Sequence, residues 1–149
     1  MALIQPADIR DLVAVQRLER ACFGPDAWGW LEVTVALLTP SIRLKAVLAG
    51  RLIGFAVGER HTRDQEGWVA TLGVHPDYQR RGVGRQLLQA VEAQLPFPRL
   101  KLTVRASNTP AIALYEQFGY RPLSRIARYY PSGEDGIVME RRPPPPAGA

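Results

Sequence analysis

The chain has 149 residues, 46 % hydrophobic and 22 % charged, which suits one domain with one sizeable core and excludes a largely disordered polypeptide. Its net charge of +5 comes almost wholly from arginine, with Lys45 and Lys101 the only lysines. That balance admits nucleic acid, a ribosomal surface or a phosphorylated cofactor as partner, and equally a genomic bias toward arginine.

A single cysteine, Cys22, excludes an internal disulfide and fits a reducing compartment. With only His61 and His75 beside it, no metal site is expected from spacing. No apolar stretch spans a bilayer, and the opening MALIQPADIR lacks the apolar core of a signal peptide, so a cytoplasmic protein without a membrane partner is expected.

After a short strand around Leu3 and Ile4, ADIRDLVAVQRLERACF sets Leu12, Val15, Leu18 and Cys22 three or four apart, the spacing of one helical face. Cys22 packs at the end of that face. FGPDAWGW reads as a turn, and WLEVTVALL as a helix stopped by Pro40. IRLKAVLA and RLIGFAVGER form a hairpin with its tight turn at Gly50 and Arg51, and EGWVATLGV adds a third strand to an antiparallel meander. GVGRQLLQAVEAQL carries Val83, Leu87, Leu88, Val91 and Leu95 on one face and stops at Pro96. The strand RLKLTV after it predicts a parallel crossover. NTPAIALYEQFGY is a short helix with Pro110 early and Gly119 just past its end. Strands at RPLSRIARYY and DGIVMER follow, joined through PSGE. One domain is expected over 1–142, with 143–149 a proline-rich disordered tail.

The segment LGVHPDYQRRGVGRQLL places a glycine-rich turn between a strand and a helix. Such a turn clusters backbone N–H groups at the positive end of a helix dipole, which makes it an anion site. Gly82 and Gly84 remove β-carbons from the approach, while Gln79, Arg80, Arg81 and Arg85 stand ready to close around a phosphate. The loop lacks the Gly-Lys-Ser or Gly-Lys-Thr of a triphosphate-binding loop, and it is not the G-x-G-x-x-G that follows a first strand. The pyrophosphate of a different cofactor fits better.

Gln79-Arg80-Arg81-Gly82-Val83-Gly84, preceded by LGVHPDY, resembles the acetyl-CoA signature of the GCN5-related N-acetyltransferase (GNAT) superfamily, and VRASNTPAIALYEQFGY resembles its second conserved segment. RASNTPAIALYEQFGY followed by RYYPSGEDGIVM is similar to the branch of protein N-terminal acetyltransferases that includes the ribosomal-protein-alanine enzymes of the RimI type. The resemblance implies an α/β (α+β) fold: a mixed, mostly antiparallel sheet of six to seven strands, about four helices, and a V-shaped splay between the two central strands. It implies acetyl-CoA as cosubstrate, with the backbone of Leu72 and Val74 pairing with the pantetheine arm and the Val74 N–H polarising the acetyl carbonyl. The 79–84 loop would hold the pyrophosphate. Asn108 would contact the pantetheine, although a helix cap before Pro110 is an equally natural role.

Tyr115 matches the family's phenolic acid, which would protonate the departing thiolate, unless it only continues the apolar face of Ala111, Leu114 and Phe118. Thr103 stands where bacterial members of the branch carry a glutamate base, and a threonine hydroxyl cannot take a proton at neutral pH. Glu66 and Asp26 are the candidates to replace it. The substitution costs least for an α-amine, which at a pKa near 8 is about 10 % neutral at pH 7, against about 0.04 % for lysine. The resemblance further places Trp28 and Trp30 in the region that walls the acceptor site, unless they only cover the core, and Tyr129 and Tyr130 beside the acceptor path, with one tyrosine lining it and the other packed on the opposite strand face. Glu134 and Asp135 would attract the incoming ammonium or simply solvate their turn. The acceptor is then a protein N-terminus such as that of a ribosomal protein. Alternatives are a small-molecule amine, a lysine side chain, or acyl-CoA binding without turnover. A monomer or homodimer is expected, and no nucleic-acid module is found.

Overall fold

Residues 2–142 are described by a computed structural model of the chain; the tail expected to be disordered lies outside them. The strands and helices run β1 (Leu3–Pro6), α1 (Leu12–Phe23), α2 (Trp30–Leu38), β2 (Ile42–Leu48), β3 (Arg51–His61), β4 (Glu66–Val74), α3 (Val83–Ala93), β5 (Arg99–Arg105), α4 (Thr109–Gln117), β6 (Arg121–Ile126) and β7 (Gly136–Arg141). The seven strands form one sheet in the order β1-β2-β3-β4-β5-β7-β6. Every pairing is antiparallel except β4 with β5, the pair joined through α3. The mixed sheet and four helices agree with the expected architecture.

Local chemistry sets the element ends. Asp8 and Asp11 form a reciprocal capping box ahead of α1. Asn108 caps α4 through Ala111 N–H, with Pro110 at a position where its missing N–H costs nothing. The β2–β3 turn falls one residue earlier than predicted: Leu48 pairs with Arg51, leaving Ala49 (φ +50°) and Gly50 (φ +78°) as the two turn residues. Both sit in the left-handed region that a right-twisted two-residue hairpin requires.

The sheet separates two cores. On one face α3 buries Val83, Leu87, Leu88 and Val91 against Ile53, Ala56, Val69 and Val74, with Tyr115 and Tyr120 of the α4 region. Gly54 and Gly58 let α3 lie close, since a β-carbon would come within 2.9 Å of Leu87 at the first and 2.8 Å of Val91 at the second. On the other face α1 and α2 bury Val15, Leu18, Val33 and Leu37 against Phe55 and Val57.

Strands β4 and β5 pair only from Glu66 opposite Arg99 to Val69 opposite Leu102; beyond that point they run on without a shared ladder. A β-bulge marks the parting. Against β3, Gly58 pairs with Val69 and Val57 with Thr71, so Ala70 is the extra residue. The closed end is held by charge: Lys101 Nζ lies 2.5 Å from Glu66 and 3.8 Å from Glu140, and Arg99 lies 3.7 Å from Glu66.

Candidate active site

The gap between the strands opens a cleft of about 820 Å³ that passes from one face of the sheet to the other. Its lining comes from α1 and the following loop (Glu19, Cys22, Asp26, Trp28) as well as from α3 and α4 (Val83, Gly84, Leu114, Tyr115). The orientation of the β4 backbone follows from one bond. His75 N–H donates to Ile53 C=O at 2.8 Å, so the peptide groups of odd residues here face β3 and those of Leu72 and Val74 face the gap. The Val74 carbonyl already accepts from Gln79 Nε2 (3.1 Å) and Cys22 Sγ (3.3 Å), while its N–H remains directed into the cleft.

At the mouth, α3 begins with no side-chain cap, and Gly82 before it adopts φ +82°. Arg80, two residues earlier, is also left-handed at φ +62°. The first N–H groups of α3 therefore face open space at the positive helix end. Gln79, Arg80, Gly82, Val83, Gly84 and Arg85 all line the cleft; Arg81 does not. Its guanidinium stacks 5.3 Å over the Tyr78 ring, a cation–π contact that turns it away. Arg85 donates to Gln117 and lies over Phe118, which braces α3 against α4.

Tyr115 is 6 % exposed and lines the cleft, and burial pushes its phenol up to about 12, so it stays a proton donor at neutral pH. Asn108 caps α4, and the residue also lines the cleft. Among the described residues, no group of three or more metal-ligating side chains could hold a metal ion, and no helix is long and apolar enough to cross a membrane.

The acetyltransferase (GNAT) family model matches residues 14–120. The chain belongs to the GNAT family. It is 34 % identical over 147 residues to the [ribosomal protein bS18]-alanine N-acetyltransferase of Escherichia coli strain K12, covering 93 % of this chain and 96 % of that protein. The crystal structure of the E. coli ribosomal-protein-S18-alanine N-acetyltransferase superposes with a TM-score of 0.85 over 95 % of this chain and 94 % of that one, at 30 % identity. A third relative is the N-terminal acetyltransferase B complex catalytic subunit NAA20 of Arabidopsis thaliana, 35 % identical over 61 % of this chain and 56 % of that protein. This GNAT is an acetyl-CoA-dependent N-acetyltransferase, and the uncapped helix end with its glycine turn fits the pyrophosphate of that cosubstrate.

Two expected bases fare differently in this GNAT. Glu66 is outside the cleft, at the paired end of β4, where its hydrogen bond with Lys101 holds the carboxyl below the usual glutamate range. The sequence puts it at the start of the central strand but does not show that this is the end where β4 and β5 stay paired. Asp26 does line the cleft, but its oxygens accept from Ser132 N–H (2.8 Å), Ser132 Oγ (2.9 Å) and Arg105 (3.5 Å). It therefore ties the loop before α2 to the loop before β7.

The acceptor-side residues also divide. Trp28 lines the cleft, whereas Trp30 starts α2 and is 48 % exposed. The predicted strand through Tyr129 and Tyr130 ends at Ile126, because Arg128 turns left-handed (φ +52°) and its N–H donates to Asp135. The two rings instead meet edge to face at 4.9 Å, with Tyr130 on the cleft wall and Tyr129 outside it. Glu134 points elsewhere as well, accepting from Ser107 N–H at 2.8 Å. The sequence reading does not single out the buried carboxylate on the cleft wall. Glu19, 2 % exposed, lies on the same helical face as Val15 and Cys22, four before and three after it, and that position on an apolar stripe was the signal.

Proposed function

We propose that this GNAT moves the acetyl group of acetyl-CoA to the α-amine of a protein N-terminus, and that a ribosomal protein with a small first residue is the acceptor. The observation that carries the reading is the near full-length similarity to a ribosomal-protein-alanine N-acetyltransferase. The cleft supports it, since it reaches through the sheet and gives the two substrates separate faces.

On the α3–α4 side, the 79–85 loop holds the pyrophosphate and the Leu72 and Val74 peptide groups pair with the pantetheine arm. The Val74 N–H, aimed into the cleft, stabilises charge developing on the acetyl oxygen. Tyr115 gives its proton to the departing sulfur. On the α1–α2 side, Trp28 and Tyr130 flank the entering chain end.

Thiol release should be followed with acetyl-CoA and peptides beginning with Ala, Ser, Met or Pro, with an N-blocked lysine peptide, and with spermidine. Turnover of the alanine and serine peptides is expected. Turnover confined to the blocked lysine peptide or to spermidine overturns the assignment.

A further inference from the structure

Three glutamates of the described residues are buried: Glu19, Glu66 and Glu140. Glu66 and Glu140 share Lys101, as buried carboxylates ordinarily require. Glu19 has no such cation. Its Oε1 accepts from Thr71 Oγ1 at 3.0 Å and its Oε2 makes a long 3.5 Å contact with Trp28 N–H. The Thr71 hydroxyl needs a single acceptor oxygen, which a glutamine would also supply, so the fold itself has no use for the charge.

Location gives the charge a use. Thr71 follows the Ala70 bulge on the open half of β4, and the α1 side is the face left to the acceptor. We propose that Glu19 is the proton acceptor for the incoming α-ammonium, the role left vacant by Thr103. The inference rests on the N-terminal acetyltransferase reading above. In the step, the R–NH3+ group passes one proton to the Glu19 carboxylate. The freed lone pair forms the C–N bond at the thioester carbon as the C–S bond breaks and its electron pair leaves on sulfur. Tyr115 protonates that sulfur and recovers a proton from the new amide nitrogen, while Glu19 returns its proton to solvent.

The surroundings suit this. Burial pushes the Glu19 carboxyl up to about 7, against the hydrogen bond from Thr71, so that it both accepts and releases a proton near neutrality. The other ionisable groups on this part of the cavity wall are Cys22 on α1, Asp26 and Arg105, paired at 3.5 Å, and Tyr115 and Tyr130 across the gap. Cys22, Tyr115 and Tyr130 are all shifted upward by burial and stay neutral there.

The test is Glu19→Gln in the full-length chain, assayed with the best peptide between pH 6 and 9, alongside calorimetric titration with acetyl-CoA. Expected are unchanged acetyl-CoA affinity and a kcat/KM lower by roughly 10²- to 10⁴-fold at pH 7. The deficit should narrow toward pH 9, where the terminal amine, with a pKa near 8, sheds its own proton. Thr71→Val keeps the carboxylate but removes the bond that lowers its pKa, so the acidic limb should move to higher pH with activity retained. Wild-type turnover in Glu19→Gln, or an unmoved limb in Thr71→Val, overturns the role of Glu19 alone. A wild-type chain that binds acetyl-CoA and acetylates no amine overturns the functional reading and this inference together.

Discussion

Asp26 and Ser132, 106 positions apart in sequence, are joined by two hydrogen bonds: Ser132 N–H to Oδ1 at 2.8 Å and Ser132 Oγ–H to Oδ2 at 2.9 Å. The pair ties the loop carrying Tyr130 to the loop after α1, and both Asp26 and Tyr130 line the cleft. Hydrogen bonds to a charged acceptor are worth about 1.5–3 kcal/mol each when buried, and less at this partly exposed site. Asp26→Ala should therefore raise the peptide KM by roughly 5- to 30-fold, equivalent to about 1–2 kcal/mol. Acetyl-CoA affinity should not change. Steady-state kinetics and calorimetry read the two quantities, and a lost acidic limb in place of a raised KM would return Asp26 to the role of base.

Tyr115→Phe removes only the phenolic hydroxyl from a side chain whose ring packs edge to face on Tyr120, at 5.9 Å between centroids. Folding and acetyl-CoA affinity should survive. Turnover should drop by about 10²-fold or more, the ordinary contribution of a positioned acid. A variant as fast as the parent would remove Tyr115 from proton transfer.

Gly82→Ala isolates the backbone of the anion loop. Nothing lies within 4 Å of the β-carbon it would add, so any effect comes from φ +82° alone. A left-handed L-residue costs roughly 1–2 kcal/mol, and relaxing it would swing the α3 N–H groups off target. Acetyl-CoA Kd is expected to rise about 5- to 30-fold with little change in peptide KM.

Glu66→Gln probes the closed end of the V through pH. The folded-state pKa of Glu66 is depressed, first by its hydrogen bond with Lys101. Its stabilisation is present above the unfolded glutamate pKa, about 4.3, and is lost as pH falls through the lower folded value. The Tm gap between the parent and the variant should hold steady from pH 8 to 5.5 and shrink below about pH 4. Catalysis at neutral pH should be unaffected.

Ala49→Gly should stabilise the β2–β3 hairpin by up to about 1 kcal/mol, because glycine enters the left-handed region without the steric cost that alanine carries there. Thermal unfolding reads this directly.

Much of this could be read in the chain beforehand. The strands β2 to β5 and β7 carry apolar residues in strand patterns, α3 shows its buried stripe from Val83 on to Leu95, and the glycines at 82 and 84 mark the anion turn. What escaped depended on distant partners or on backbone angles. RPLSRIARYY reads as one strand because nothing in its side chains announces that Arg128 turns left-handed to reach Asp135. Glu66 and Asp26 are alike as lone carboxylates until Lys101 and Ser132 appear beside them. Glu19 sits in LER, a run that resembles a wet helix surface; its place on the stripe of Val15 and Cys22 hints at burial, and the strand packed against it through Thr71 shows the residue to be dry.

The bulge at Ala70 changes which way the rest of β4 points. Alternation would send every second side chain to the same side throughout, yet Val69, Leu72 and Val74 all pack with α3, while Ala70 packs with the α1–α2 core and Thr71 meets Glu19. A single inserted residue thus shifts the phase of the strand midway, so that its open half presents Leu72 and Val74 toward α3 and Thr71 toward α1. Were Ala70 held in the ladder as an ordinary strand residue, Thr71 would turn toward α3 and Leu72 and Val74 toward α1, so the two surfaces of the open half would exchange their linings.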